Sequence, residues 1–242
     1  MTATANTLIV VPTYNERANI EAFVAAVRAA APAAHLQVVD DNSPDGTGKI
    51  ADELAERDPN VRVLHRAGKL GLGTAYLDAF RWGLAQQYSR FVQMDADFSH
   101  DPRHLTQFFA ALDGGADVVL GSRNVNGGRI EGWGLGRHVL SKGGSLYSRL
   151  LLGVRVRDLT TGYKAFSRHA LESIGLDRIH SNGYSYQIEM TYRALRAELR
   201  VDEVPIVFVD RRAGQSKMDQ KIFAEAIGVV WRLRFEDLMG RL

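Results

Sequence analysis

The sequence predicts an α/β fold, a mostly parallel sheet with helices on both faces. Three observations predict it. Short apolar runs of strand length recur through the first half of the chain. Segments with helical spacing separate them, and the runs end in clusters of polar groups. Leu8 to Val11 is the first strand and stops at Pro12. Ile20, Phe23, Val24 and Val27 follow at helical spacing. Leu36 to Val39 is the second strand, ending in Asp40-Asp41. A polar turn, Asn42 to Gly46, leads to a helix containing Ile50, Leu54 and Ala55. Val61 to Leu64 reads as the third strand. The loop Lys69 to Gly73 then opens a helix through Tyr76, Leu77, Phe80 and Leu84. Phe91 to Met94 and Val118 to Leu120 are the fourth and fifth strands.

The second half reads differently. From Arg123 to Arg157 seven basic residues face a single acid, Glu131, among many glycines, which predicts a loop followed by a basic helix. Another helix is expected near Tyr186 to Leu199, and one strand from Val204 to Val209. The C-terminal segment reads as an amphipathic helix. Ile222, Ala226, Val230 and Leu233 form one stripe, and Trp231, Phe235, Leu238 and Leu242 a second.

At 242 residues and 45% hydrophobic content the chain is long enough for one sizeable core. There is no cysteine, which excludes disulfides, thiolate metal sites and a cysteine nucleophile. The first six residues are short and polar, unlike a signal peptide. No stretch approaches the roughly 18 apolar residues that span a bilayer. The net charge is +2, but up to Val119 there are 10 basic against 15 acidic residues, and after it 20 against 13. An acidic half suits a cation, and a basic half suits phosphates.

In a parallel sheet the ligand site lies outside the carboxyl ends of the strands. Four polar segments converge there: Pro12 to Glu16, Asp40-Asp41, Asp95-Ala96-Asp97 and Gly121-Ser122-Arg123. Paired aspartates after a buried strand can put two oxygens on one hard cation, and Mg2+ or Mn2+ suits such a site. Asp40-Asp41 has two compatible readings, as acceptor of ribose or base donors and as an Asx turn. Pro12 to Glu16 likewise reads as a rigid turn and helix start capped by Asn15, while the Tyr14 ring beside the strand end can stack on a base. For Lys69 to Gly73, tight helix entry stands beside direct phosphate contact. His100 and His138 show no ligand spacing and read as polar surface groups.

These motifs occur in order, together with Gly68 to Ala75, Asp158 to Tyr163 and Gly214 to Lys217. The set resembles the family 2 inverting glycosyltransferases of GT-A fold, and within them the dolichol- or polyprenol-phosphate mannose synthases. The resemblance implies a single domain, 1–242. Residues 1–122 would bind the nucleotide sugar and 123–217 the acceptor; for the helix in 218–242, lying in the membrane interface stands beside packing on the core. Pro12, Tyr14, Glu16, Val39 and Asp41 would hold guanosine, with Ala96 beside the nucleotide. Asp95 and Asp97 would contact Mg2+ or Mn2+. Family members often carry glutamine where this chain has Ser99, which leaves the third protein ligand open. Arg123 and Arg137 would meet the acceptor and donor phosphates, and Arg211 and Lys217 would lie on a loop closing over the donor.

The implied partners are GDP-mannose, a polyprenyl or dolichyl phosphate and the membrane surface, with room for an anchoring partner protein and no nucleic acid. The expected location is the cytoplasmic face of the membrane. A phosphate monoester is mostly ionised at neutral pH, so no general base is required. Glu189, the one loose candidate, reads as structural. Two other functions share the motifs, a transferase using UDP-glucose or another donor and a nucleotide-binding module without catalysis.

Overall fold

The computed structural model describes residues 6–210 and 220–242. The first half follows the expected alternation: β1 (Thr7–Thr13), α1 (Ile20–Ala30), β2 (His35–Asp40), α2 (Thr47–Arg57), β3 (Val61–His65), α3 (Leu72–Ala85), β4 (Arg90–Gln93), α4 (Leu105–Asp113) and β5 (Val118–Ser122). The second half adds β6 (Arg129–Glu131), α5 (Leu135–Leu152), β7 (Lys164–Ser167), α6 (Arg168–Ile174), α7 (Ser185–Arg196), β8 (Val201–Pro205), β9 (Val207–Val209) and α8 (Gln220–Leu238). Seven strands form the main sheet in the order β3-β2-β1-β4-β7-β5-β8, and β6 and β9 form a small second sheet.

Side-chain alternation along β1 divides the core. Leu8 and Val10 face one layer with Tyr76, Phe80, Tyr186 and Met190. Ile9 and Val11 face the other with Phe23, Val27 and Phe108. Helices cover both faces, which is why β1 is buried at every position but Pro12.

Two features depart from the sequence expectation. The sheet is mostly parallel, as expected, but it contains a strand that the sequence did not reveal, β7, which runs antiparallel between β4 and β5. The expected strand from Val204 to Val209 is two strands. Pro205 has no N–H for the ladder. The chain therefore leaves β5 with a last bond from the Ile206 amide to the Ser122 carbonyl and continues as β9 against β6.

β7 carries a fully buried amine, Lys164, whose Nζ donates to the Gln187 carbonyl (2.5 Å) and to Thr191 Oγ1 (2.8 Å). Two acceptors match the two N–H groups of a neutral amine, and burial lowers its pKa to about 7. α7 is buried nearly all round despite its polar sequence, because the sheet covers one side and α8 the other. Its Glu189 is fully buried and accepts from the Ser181 amide, from Arg193 and from Arg232 of α8. Burial alone would raise its pKa, but the Ser181 and Arg193 donors outweigh that and hold the carboxyl below its usual range. Glu189 thus ties helices together, as its structural reading expects.

Val230 and Leu233 of α8 pack into the core, as one stripe predicts. Ile222 and Ala226 have side chains outside the described residues. Of the second stripe, Trp231, Phe235 and Leu238 are exposed, while Leu242 packs against the core.

Two outcomes follow from these buried charges. Glu189→Ala leaves Arg193 buried without its main counter-charge and lowers unfolding free energy by about 3–5 kcal/mol in denaturant melts. The exposed Arg129–Glu131 pair is the control, and Arg129→Ala changes it by under about 1 kcal/mol. Lys164 affects the pH dependence. Between about 7 and the unfolded lysine value of about 10.4 the unfolded chain holds the extra proton, so stability rises with pH. In Lys164→Met, urea melts from pH 7.5 to 9.5 lose a slope of up to about 1.4 kcal/mol per pH unit.

Candidate active site

The parallel register of β2, β1 and β4 aligns their carboxyl ends, and β5 ends at the same edge. The turns after β1 and β2 are bonded together across that edge. Backbone amides of Asn15, Glu16 and Arg17 donate to Ser43 Oγ (3.1 Å), Thr47 Oγ1 (3.0 Å) and Asp45 Oδ2 (3.1 Å). Asn15 and Asn42 adopt positive φ, +60° and +56°, a conformation asparagine tolerates. The Glu16 carbonyl accepts from Asn19 and Ile20 and starts α1. Pro12 to Glu16 is therefore a rigid helix entry, as one of its readings expects, but the N-cap position is Asn19 rather than Asn15.

The two aspartates after β2 divide their roles. Asp40 builds the Asx turn, accepting from the Ser43 amide and hydroxyl and from Thr13. Asp41 faces the next loop, where its carboxylate takes Arg66 Nη1 (2.8 Å) and the amides of Leu70 (3.1 Å) and Gly71 (3.3 Å). Gly71, at φ +108°, starts α3, and a side chain there would lie within 2.3 Å of Asn182. The glycines of this loop thus serve tight helix entry. The Lys69 ammonium lies over the Tyr14 ring, 4.4 Å from its centre. Val39 and Ala96 are buried in the two apolar layers.

The paired aspartates lie where β4 ends. Asp95 keeps about a third of its side chain exposed, and its Oδ1 accepts from the Tyr76 hydroxyl (3.2 Å). Burial first, and then Asp95, keep that phenol protonated well above its usual range. Asp97 is buried, and its Oδ1 accepts from the amide (3.0 Å) and hydroxyl (2.6 Å) of Ser99. The Ser99 hydroxyl thus orients Asp97. His100 is buried too, contrary to the surface reading, and burial holds its pKa below the ordinary value.

Two carboxylates of this kind fit Mg2+ or Mn2+, which accept oxygen donors and complete their shell with water and substrate phosphate. Among the described residues no group of three or more His, Asp or Glu side chains gathers as a metal site, so substrate and water would supply the remaining donors.

Arg123 follows β5 and is held rigidly. Its Nε and Nη2 donate to both oxygens of fully buried Asp158 (2.8 and 2.7 Å), and Nη2 also reaches Thr160. For Asp158 burial alone would raise the pKa, but the guanidinium outweighs it and holds the carboxyl low. Trp133 and Phe208 flank the guanidinium at 5.9 and 5.4 Å. Beside it opens a cleft of about 450 Å3, lined by Arg123, Lys142, Arg149 and Arg157 with the apolar Val125 and Leu146. Arg137 lies in the first turns of α5, its side chain outside the described set, and Arg211 and Lys217 lie outside the described residues.

The structure therefore brings Tyr14, Glu16, Asp41, Asp95, Asp97 and Arg123 to one sheet edge. Sequence reasoning passed over Tyr76, Arg66, His100 and Asp158 as partners of that edge. Only Asp158 carried a signal, its place in a motif.

The chain is similar to known glycosyltransferases. It is 50% identical over 234 residues, 96% of this chain and 88% of the relative, to the polyprenol monophosphomannose synthase of Mycolicibacterium smegmatis. It is 46% identical over 239 residues, 97% of this chain and 98% of the relative, to the undecaprenyl-phosphate mannosyltransferase of Micrococcus luteus. The fold matches glucosyl-3-phosphoglycerate synthase of Mycobacterium tuberculosis in complex with Mn2+ and UDP-glucose, with TM-score 0.68, 20% identity and coverage of 96% of this chain and 81% of that one. It also matches a mannosyltransferase of Pyrobaculum calidifontis in complex with GDP-Man and Mn2+, with TM-score 0.58, 18% identity and coverage of 97% and 64%. The fold is GT-A-like. With its family profile matching residues 8–175, the chain belongs to glycosyl transferase family 2 and is a glycosyltransferase.

Proposed function

We propose that this chain transfers mannose from GDP-mannose to a polyprenyl phosphate, inverting the anomeric centre and releasing GDP. The observation that carries the reading is the near-full-length identity to two prenyl-phosphate mannose transferases, in a chain whose paired aspartates stand at the strand edge. An oxygen of the acceptor phosphate bonds to C1 of mannose as the bond from C1 to the GDP diphosphate breaks. The acceptor phosphate is already ionised, so no side chain need take a proton. Mg2+ or Mn2+ bound at Asp95 and Asp97 would neutralise charge building on the departing diphosphate. The zipped turns after β1 and β2, with Tyr14 and Glu16, form the base end of the donor site. Arg123 and the cationic cleft answer the phosphates, and Arg137, Arg211 and Lys217 would add cations for the same task.

No helix among the described residues is long and apolar enough to cross a membrane. The lipid acceptor is approached by the exposed face of α8, Trp231, Phe235 and Leu238, with Met239 just past its end, beside Arg234 and Arg241. Apolar anchors next to cations suit the boundary layer of an anionic membrane, which for this acceptor is the cytoplasmic face.

Incubation with labelled GDP-mannose, polyprenyl phosphate and Mg2+ or Mn2+ yields a mannolipid, and Asp97→Ala lowers the rate by at least about 100-fold. In thermal melts with Mn2+, GDP-mannose at 100 times its Kd raises Tm by roughly 5–10 °C. Stabilisation by UDP-glucose alone would reject the donor, and donor binding without transfer would make the chain a binding module. In flotation with phosphatidylglycerol vesicles, the Trp231→Ser, Phe235→Ser double variant binds about 10- to 100-fold less well. Vesicle binding by the purified chain dispenses with an anchoring protein, whereas transfer to a short water-soluble prenyl phosphate is unchanged.

A further inference from the structure

We propose that His100 is a positioning residue: its Nδ1 fixes the main chain of Asp95 and thereby aims the Asp95 carboxylate into the cation site. The inference rests on the reading of Asp95 and Asp97 as metal ligands and adds what holds them in place.

The β1–β4 ladder extends as far as the Met94 amide, which donates to the Val10 carbonyl. The next amide, Asp95, lies past the ladder and needs another acceptor. His100 Nδ1 supplies it at 2.8 Å. A ring nitrogen accepting from an amide carries no proton, so the hydrogen of the neutral ring is on Nε2. The ring itself cannot swing. Tyr163 stacks on it at 5.1 Å, Phe208 meets it edge-on at 5.9 Å, and Phe108 stacks on Tyr163 at 4.3 Å. Gly162 leaves room for it, since a Cβ there would come within 3.1 Å of His100 Cε1. The acceptor is therefore fixed to the core rather than to a mobile side chain.

The loop between the two residues is bent to make this contact. Phe98 has φ +62°, a left-handed conformation that a bulky residue adopts only where its surroundings impose it. Its ring packs edge-on against Phe23 at 5.3 Å, and Ser99 closes the turn on Asp97. The outcome is a five-residue return that brings position 100 back onto the amide of position 95. Asp95 is then fixed twice, by His100 at its backbone and by Tyr76 at its carboxylate. The side chain that is fixed in this way is the more exposed of the paired aspartates, the one with most freedom to lose.

Three variants separate the acceptor from the ring. His100→Phe keeps a ring against Tyr163 and removes the acceptor. His100→Asn places an amide oxygen near the Nδ1 position, and His100→Gln places one near Nε2. The readouts are the Kd for Mn2+ in the presence of GDP, by electron paramagnetic resonance, and hydrogen exchange of the Asp95 amide. The expected result is a 10- to 100-fold weaker Mn2+ affinity and faster Asp95 exchange in the Phe and Gln variants, with the Asn variant near wild type. In transfer assays kcat falls at saturating acceptor while the acceptor KM holds. If His100→Phe does not fold, the Asn and Gln variants decide, and equal Mn2+ affinities in the two overturn the inference. Wild-type Mn2+ affinity in His100→Phe overturns it as well, provided Asp95→Asn still abolishes binding. Unchanged binding in Asp95→Asn removes the metal reading itself, and the inference with it.

Discussion

Backbone amides that run past the end of a parallel ladder must find acceptors, and the site edge is built from side chains that supply them. Asp45, Ser43 and Thr47 accept from the turn after β1, and Asp40 accepts from the turn after β2. Asp41 accepts from the loop before α3, His100 from Asp95, and Asp158 from Arg123. Most of the polar residues at this edge therefore perform a structural task before any ligand arrives. That task fixes where the remaining donors and carboxylates point.

The same edge explains the buried charges. A carboxylate or guanidinium removed from water is expensive unless it is paired and its hydrogen bonds are filled. Asp158 with Arg123 meets both conditions, while Asp41 with Arg66 and Glu189 with Arg193 are paired but leave Arg66 Nε and Arg193 Nη1 without a hydrogen-bond acceptor. Such pairs add little net stability but set geometry closely. Arg123 offers the clearest case, since Asp158 occupies its fork while two aromatic rings flank its plane. Its orientation toward the cationic cleft is settled without any anion.

Much of this was legible beforehand because local pattern and burial agree in the first half. Leu8 to Val11, Leu36 to Val39 and the stripe Ile20, Phe23, Val24 and Val27 carry their periodicity openly, and the acidic strand ends mark the site. β7 escaped because Lys164, Ala165, Phe166 and Ser167 hold a lysine at a wholly buried position, where composition argues against a strand. α7 was legible as a helix but not as a central one, since Glu189 and Arg193 read as solvent-facing until α8 covers them. Tyr76 and His100 gave no signal because their partners lie 19 and 5 residues away and meet only through tertiary geometry.

The position of β7 has a consequence for how the chain is made. β4 and β5 are consecutive strands of the main sheet, yet they are not neighbours, and the strand between them begins 42 residues after β5 ends. Until Lys164–Ser167 leaves the ribosome, the nascent chain carries two open sheet margins at its middle, with N–H and C=O groups bare. Consolidation of the centre must await distant sequence, which makes folding slow and nascent chains prone to edge-to-edge association.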